Sequence, residues 1–119
     1  MYELSIETSF DSAHNLRGYQ GSCESLHGHT YRVQVFVTGT ELNKLGILVD
    51  FRELKSRLNE VISDLDHCYL NEVDAFKEIN PTAENIAAYI FRCMRTSVGS
   101  VVSKVTVWET ATSAASYWE

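Results

Sequence analysis

Two histidines flank a glycine in Cys23-Glu24-Ser25-Leu26-His27-Gly28-His29-Thr30-Tyr31, and a thiol stands four residues ahead of the first. The i, i+2 spacing puts the two rings about 200° apart on a helix but on one face of a strand. On a strand their Cβ atoms lie roughly 7 Å apart, so both imidazoles can lean onto one metal ion. The next residues are strand-like, with Tyr31, Val33, Val35 and Val37 alternating with Arg32, Gln34 and Phe36. The histidine pair is therefore expected at the mouth of a strand, with His14 upstream as a third ligand. Zinc in its catalytic form takes three protein ligands and a water, and three neutral imidazoles suit it, although the same set accepts iron or nickel. Cys23 then has two functional readings. It is either the fourth ligand of a closed structural site or an unligated thiolate, its pKa lowered by the nearby cation, acting as base or nucleophile.

The remaining histidine, His67, comes directly after Asp66, whose carboxylate could fix its tautomer. At a helix C-terminus the same histidine would only complement the dipole. Glu109 closes a strand in Val107-Trp108-Glu109-Thr110. A carboxylate there is either solvated at the rim or accepts two parallel hydrogen bonds from adjacent N–H donors, such as an amino-pyrimidinone edge offers. Cys68 and Cys93 read as small core residues, Cys93 sharing a helical stripe with Ile86, Ile90 and Met94.

Periodicity gives the elements that must position these groups. Tyr2, Leu4, Ile6, Thr8 and Phe10 alternate with polar residues, predicting a half-buried strand over 2–10. Residues 15–26 read as a long loop, of the kind that carries function, and 29–38 as the second strand. If the two strands pair antiparallel, the end of the first meets the start of the second. His14 then lies beside His27 and His29, on the side of the apolar residues unless a bulge intervenes. Asp50, with Glu53 three residues on, reads as a capping box before a helix over about 51–65. The run Asp66-His67-Cys68-Tyr69-Leu70-Asn71 closes that helix. Asn80-Pro81-Thr82 caps a second over about 83–97, ended by Gly99. A third strand is expected over 101–109, with Val101, Ser103, Val105, Val107 and Glu109 on one face, and a short fourth around 114–118. The order β-β-α-α-β-β predicts an α+β fold, a four-stranded antiparallel sheet with two helices on one face. Its two exposed edges need covering, which predicts an oligomer.

The 119 residues make one domain. A net charge of −6 with no basic stripe argues against nucleic-acid or membrane-surface partners. No apolar run approaches a membrane span and the start does not read as a signal peptide, so the expected compartment is the cytoplasm. Three cysteines cannot all pair and none forms C-x-x-C.

Along nearly the whole chain the residues resemble the 6-pyruvoyl-tetrahydropterin synthase family, including the bacterial 6-carboxy-tetrahydropterin synthases. The resemblance runs through Phe10-Asp11-Ser12-Ala13-His14, Cys23-x-x-x-His27-Gly28-His29, Leu65-Asp66-His67-x-Tyr69-Leu70-Asn71, Asn80-Pro81-Thr82-Ala83-Glu84-Asn85 and Glu109-Thr110. It implies a tunnelling fold, with subunits completing a barrel as trimers and two trimers stacking into a hexamer. It implies zinc on His14, His27 and His29, Cys23 as the base, Asp66 and His67 as its relay across a subunit interface, and Glu109 as the anchor of the pterin. The implied substrate is the small molecule 7,8-dihydroneopterin triphosphate. The short loops and the Leu65–Asn71 run look like the carboxy-synthase branch, a carbon–carbon lyase that releases acetaldehyde and triphosphate on the route to queuosine and other 7-deazaguanines. The pyruvoyl synthase shares the site and eliminates triphosphate without cleavage. A third, aldolase-like subgroup lacks the motif cysteine, which is present here. A non-catalytic domain with a structural zinc is the alternative of another class, and it needs Cys23 on the metal.

Overall fold

The computed structural model describes residues 1–119. Its frame is a long hairpin-like pair, β1 (Tyr2–His14) and β2 (His27–Gly39), antiparallel from Tyr2↔Gly39 to His14↔His27. Ile6, Phe10, Ser12 and His14 turn inward from β1, and Tyr31, Val33, Val35 and Val37 from β2; all of these are buried. Both strands run further than hydropathy alternation predicts, to His14 rather than 10 and from His27 rather than 29. The reason is chemical. The last inward positions of β1 carry Ser12 and His14, which end the apolar pattern while the ladder continues through Ala13↔Gly28.

Two further strands, β3 (Val102–Thr110) and β4 (Ser113–Tyr117), complete an antiparallel sheet in the order β1-β2-β3-β4. The helices α1 (Phe51–Ser63) and α2 (Ala83–Val98) pack on it, α1 against β1 and α2 against β3 and β4. The expected β-β-α-α-β-β architecture is the observed one. Asp50 caps α1 by accepting from the Arg52 N–H at 2.8 Å, while Glu53 reaches toward Arg57 at 4.0 Å instead of closing a capping box. Thr82 caps α2 by accepting from Asn85 N–H at 3.1 Å. No helix is long and apolar enough to cross a membrane.

Three local readings change. In β3 the inward residues are Val102, Val105 and Val107, and not Val101 and Ser103. Lys104 faces Phe36 and Val102 faces Val37, so Ser103 is an extra residue, and a bulge of this kind reverses parity upstream of itself. Cys93 is only half-buried, beside the fully buried stripe of Ile86, Ile90 and Met94, and Cys68 is likewise half-buried against the core. Finally, α1 stops at Ser63, and residues 66–69 do not end a helix. They lie along the outer edge of β1, where His67 N–H donates to Asp11 O at 2.6 Å and Ala13 N–H to Cys68 O at 3.0 Å.

Leu58, at the centre of the inward face of α1, is 1% exposed. Leu58→Ala is expected to cost about 2–5 kcal/mol, the range for large-to-small changes in a packed core. Chemical denaturation followed by far-UV circular dichroism measures it.

Candidate metal centre

The strand register delivers the histidines. His14 and His27 are the last cross-strand pair and His29 faces Ser12 one inward step away, so all three rings rise from the same face. Their centroids lie 4.6 to 5.1 Å apart, each pair edge to face. His14 is fully buried. Its Nδ1 lies 2.7 Å from the Pro81 carbonyl, just ahead of the α2 cap, and the Nδ1 of His27 lies 2.7 Å from the Ser25 carbonyl. A carbonyl oxygen can only accept, so each Nδ1 carries the proton and each Nε2 presents a lone pair.

Those two Nε2 atoms lie 2.9 Å apart. Two lone pairs repel at that separation unless an electrophile sits between them. His29 adds a buried Nε2 whose polar neighbour is the Glu109 carboxylate. Burial holds the His29 pKa below the ordinary histidine value, against the opposing pull of Glu109, which favours the neutral ligand form. The fourth atom is the Oε1 of Glu109, 3.2 Å from His14 Nε2 and 3.0 Å from His29 Nε2. Ligand atoms of His14, His27, His29 and Glu109 all lie within 4.8 Å of one another. Three imidazoles and a carboxylate suit a borderline divalent cation such as zinc, and the donors present fit one.

Cys23 sits on a single 3₁₀ turn, Ser22–Glu24, in the loop joining the two strands. Its sulfur is outside the four-atom donor group. It lines the same cleft as His27, His29, Glu109, Thr110 and Ser113, a space of about 450 Å³. The thiol is thus a neighbour of the cluster and not a member. The loop is closed at its base by Leu16 N–H donating to Cys23 O at 2.8 Å.

Asp66 and His67 lie elsewhere. On β1 and β2 the outward residues are Asp11, Ala13, Gly28 and Thr30, and His67 lines an open cleft with these four, a cleft whose lining also includes Ser12 and His29. The face is opposite to that of the three metal-candidate histidines. There His67 Nδ1 is 2.8 Å from Asp66 Oδ1, and the same Oδ1 accepts from Asp11 N–H at 3.0 Å. The Asp11 N–H, with His67 second, holds the Asp66 carboxyl below the usual carboxylate range. His67 is the one non-glycine residue with positive φ, at 53°. This left-handed turn points its exposed ring back to its neighbour.

Two arginines close in sequence to the histidines are engaged elsewhere. Arg17 donates to the carbonyls of Ile79, Asn71 and Phe76 at 3.2, 3.1 and 2.8 Å, and Arg32 lies over the Trp108 ring at 4.3 Å. The role of Arg17 is to tie the loop after His14 to the segment before α2. Asn71 and Asn80 reinforce the tie, Asn80 exchanging hydrogen bonds with the Arg17 backbone at 2.9 and 3.0 Å. The sequence carries no local signal for this clamp, because its partners are backbone carbonyls more than fifty residues away. Spacing alone makes Glu109 a strand-end carboxylate. Its contact with the histidines comes from plain alternation in β3, where Glu109 follows the inward Val105 and Val107, and from the pairing of β3 with β2, which brings that face beside the ends of β1 and β2.

Arg17→Ala would strand three carbonyls. It is expected to cost about 1–3 kcal/mol, the range for hydrogen bonds from a charged donor, while leaving α1 and the sheet formed. Thermal unfolding with amide exchange across residues 15–26 checks both parts.

The chain is similar to known proteins along its whole length. The family model described as 6-pyruvoyl tetrahydropterin synthase matches residues 3–119. A 6-carboxy-5,6,7,8-tetrahydropterin synthase of Haemophilus influenzae is 37% identical over 142 residues, covering 100% of both chains. A dihydroneopterin monophosphate aldolase of Pyrococcus furiosus is 39% identical over 103 residues, covering 85% of this chain and 83% of that one. The structure of the Caenorhabditis elegans 6-pyruvoyl tetrahydropterin synthase superposes with a TM-score of 0.91 at 30% identity, covering 99% of this chain and 95% of the other.

Proposed function

This chain belongs to the 6-pyruvoyl tetrahydropterin synthase family, and we propose that within it the protein is a zinc-dependent carbon–carbon lyase. Its reaction converts 7,8-dihydroneopterin triphosphate to 6-carboxy-5,6,7,8-tetrahydropterin, with acetaldehyde and triphosphate as the other products, on the route to queuosine. The observation that carries this reading is the meeting of three imidazole Nε2 atoms beside a thiol that stays off the donor group. Full-length similarity to the Haemophilus carboxy-synthase supports the branch. Cys23 counts against the aldolase subgroup, which lacks that cysteine. Its place outside the donor group counts against a closed structural site.

His14, His27 and His29 would hold the zinc. When bound, zinc supplies Lewis acidity toward the oxygens of the substrate side chain and acidifies the adjacent C–H. The carbonyls of Pro81 and Ser25 hold two of the rings in the tautomer that leaves Nε2 free. Cys23, as thiolate, removes the carbon-bound proton. Glu109 accepts the paired N–H donors of the pterin edge.

Asp66 and His67 of the same chain face away from Cys23, so a relay through them needs the partner subunit's His67. The protein as a homo-hexamer, a dimer of trimers, supplies that. The two outer edges of the sheet, on β1 and β4, suit strand pairing between subunits. The elongated shape, 53 × 24 × 22 Å with a radius of gyration of 15.2 Å against about 13.5 Å for a compact chain of this length, suits a unit completed by others. The proposed compartment is the cytoplasm, where its three free cysteines remain thiols.

Incubation with 7,8-dihydroneopterin triphosphate and mass analysis of the products tests the reaction. Acetaldehyde with a 6-carboxypterin is expected, whereas 6-pyruvoyl-tetrahydropterin without cleavage would assign the pyruvoyl branch. Cys23→Ala is expected to keep one zinc per chain by metal analysis and to lose at least about a hundredfold in turnover, the lower range for removing a general base. Loss of zinc and of folding in that variant would instead establish the structural site.

A further inference from the structure

We propose that Glu109 is the fourth ligand of the resting metal and that substrate displaces it, freeing the carboxylate for the pterin edge. The inference rests on the metal reading above. In a tetrahedral site with bonds of about 2.0–2.1 Å, neighbouring ligand atoms stand roughly 3.3 Å apart. The Oε1 of Glu109 meets His14 and His29 at 3.2 and 3.0 Å, while His14 and His27 meet at 2.9 Å. These three separations match the edges of one such tetrahedron, and the remaining pairs of ligand atoms lie within 4.8 Å, so the carboxylate oxygen stands at the same range as the nitrogens and not beyond them.

Charge and backbone geometry agree. Three neutral imidazoles leave a divalent cation with its full charge beside the fully buried His14, and a carboxylate offsets half of it. Glu109 is the one carboxylate in the group. It follows the inward Val105 and Val107 of β3, paired with Val35 and Val33, so alternation aims its side chain at the face that carries the histidines. Its side chain is also 30% exposed, toward the cleft shared with Cys23, Thr110 and Ser113. The same carboxylate can thus turn from the metal to a ligand in that cleft without crossing the core. With Glu109 turned to the cleft, His14, His27 and His29 would still hold the metal, and the position given up by the carboxylate would be available to a substrate oxygen.

The test uses the full-length protein loaded with zinc or cobalt(II). Glu109→Gln is expected to bind zinc at least about tenfold more weakly in chelator competition, the scale of losing even an outer-shell partner. The visible absorption of its cobalt form should differ from that of the wild type. Adding 7,8-dihydroneopterin to wild-type cobalt protein should change the spectrum, and adding it to Glu109→Gln should change it less. Zinc affinity within about twofold of wild type together with a superimposable cobalt spectrum would overturn the proposal, since a direct ligand is worth more than an outer-shell one. If Glu109→Gln fails to fold, Glu109→Asp is measured in the same way, since it keeps the charge and loses the reach. A wild-type protein that binds no zinc would overturn the metal reading itself. Zinc bound equally well by both proteins would overturn only the ligand assignment.

Discussion

Two nitrogen lone pairs held 2.9 Å apart in a partly buried site are the constraint on which this structure turns. The arrangement exists because the β1–β2 ladder runs on to its last possible pair, His14↔His27, and because both Nδ1 protons are spoken for by carbonyls. Backbone groups that can only accept decide the tautomer, and the tautomer decides where the lone pairs meet. A site of this kind stores repulsion that a cation relieves. That makes metal affinity a property of strand register as much as of ligand identity.

The support of the cluster is distributed over the chain. The carbonyl that orients His14 belongs to Pro81, immediately ahead of the Thr82 cap, so the N-terminus of α2 and the histidine cluster share one piece of backbone. Arg17, Asn71 and Asn80 join that segment to the loop carrying Cys23. Packing of α2 through Ile86, Ile90 and Met94 therefore reaches the histidines through a rigid path. The path runs through hydrogen bonds made by backbone carbonyls, which are insensitive to side-chain substitution at the accepting positions.

Strand parity separates the chemistry into two faces. Odd and even positions of one ladder carry the metal-candidate histidines on the core side and Asp11, Ala13, Gly28 and Thr30 on the other, beside Asp66 and His67. A single chain thus holds two half-sites back to back. The β4 edge, the part of the β1 edge that residues 66–69 leave uncovered, and an elongated body are the features that edge-to-edge assembly uses. Assembly is the simplest way for a thiol on one face to meet a histidine on the other.

Much of this was legible in the residues. Alternation at periods of 2 and 3.6 located all four strands and both helices, and antiparallel pairing alone brought His14 to His27 and His29. The sequence determined the three-histidine cluster, its strand-mouth position and the presence of a thiol close by, because side-chain type and spacing act locally. Tertiary structure alone decided the rest. It carried the ladder past the apolar pattern to its polar end, and it placed residues 66–69 on the β1 edge instead of at a helix end. It turned Arg17 into a clamp and, by laying β3 against β2, put the Glu109 carboxylate against the histidines. Each of these depends on which backbone groups lie beside one another across long separations, and hydropathy carries no record of that.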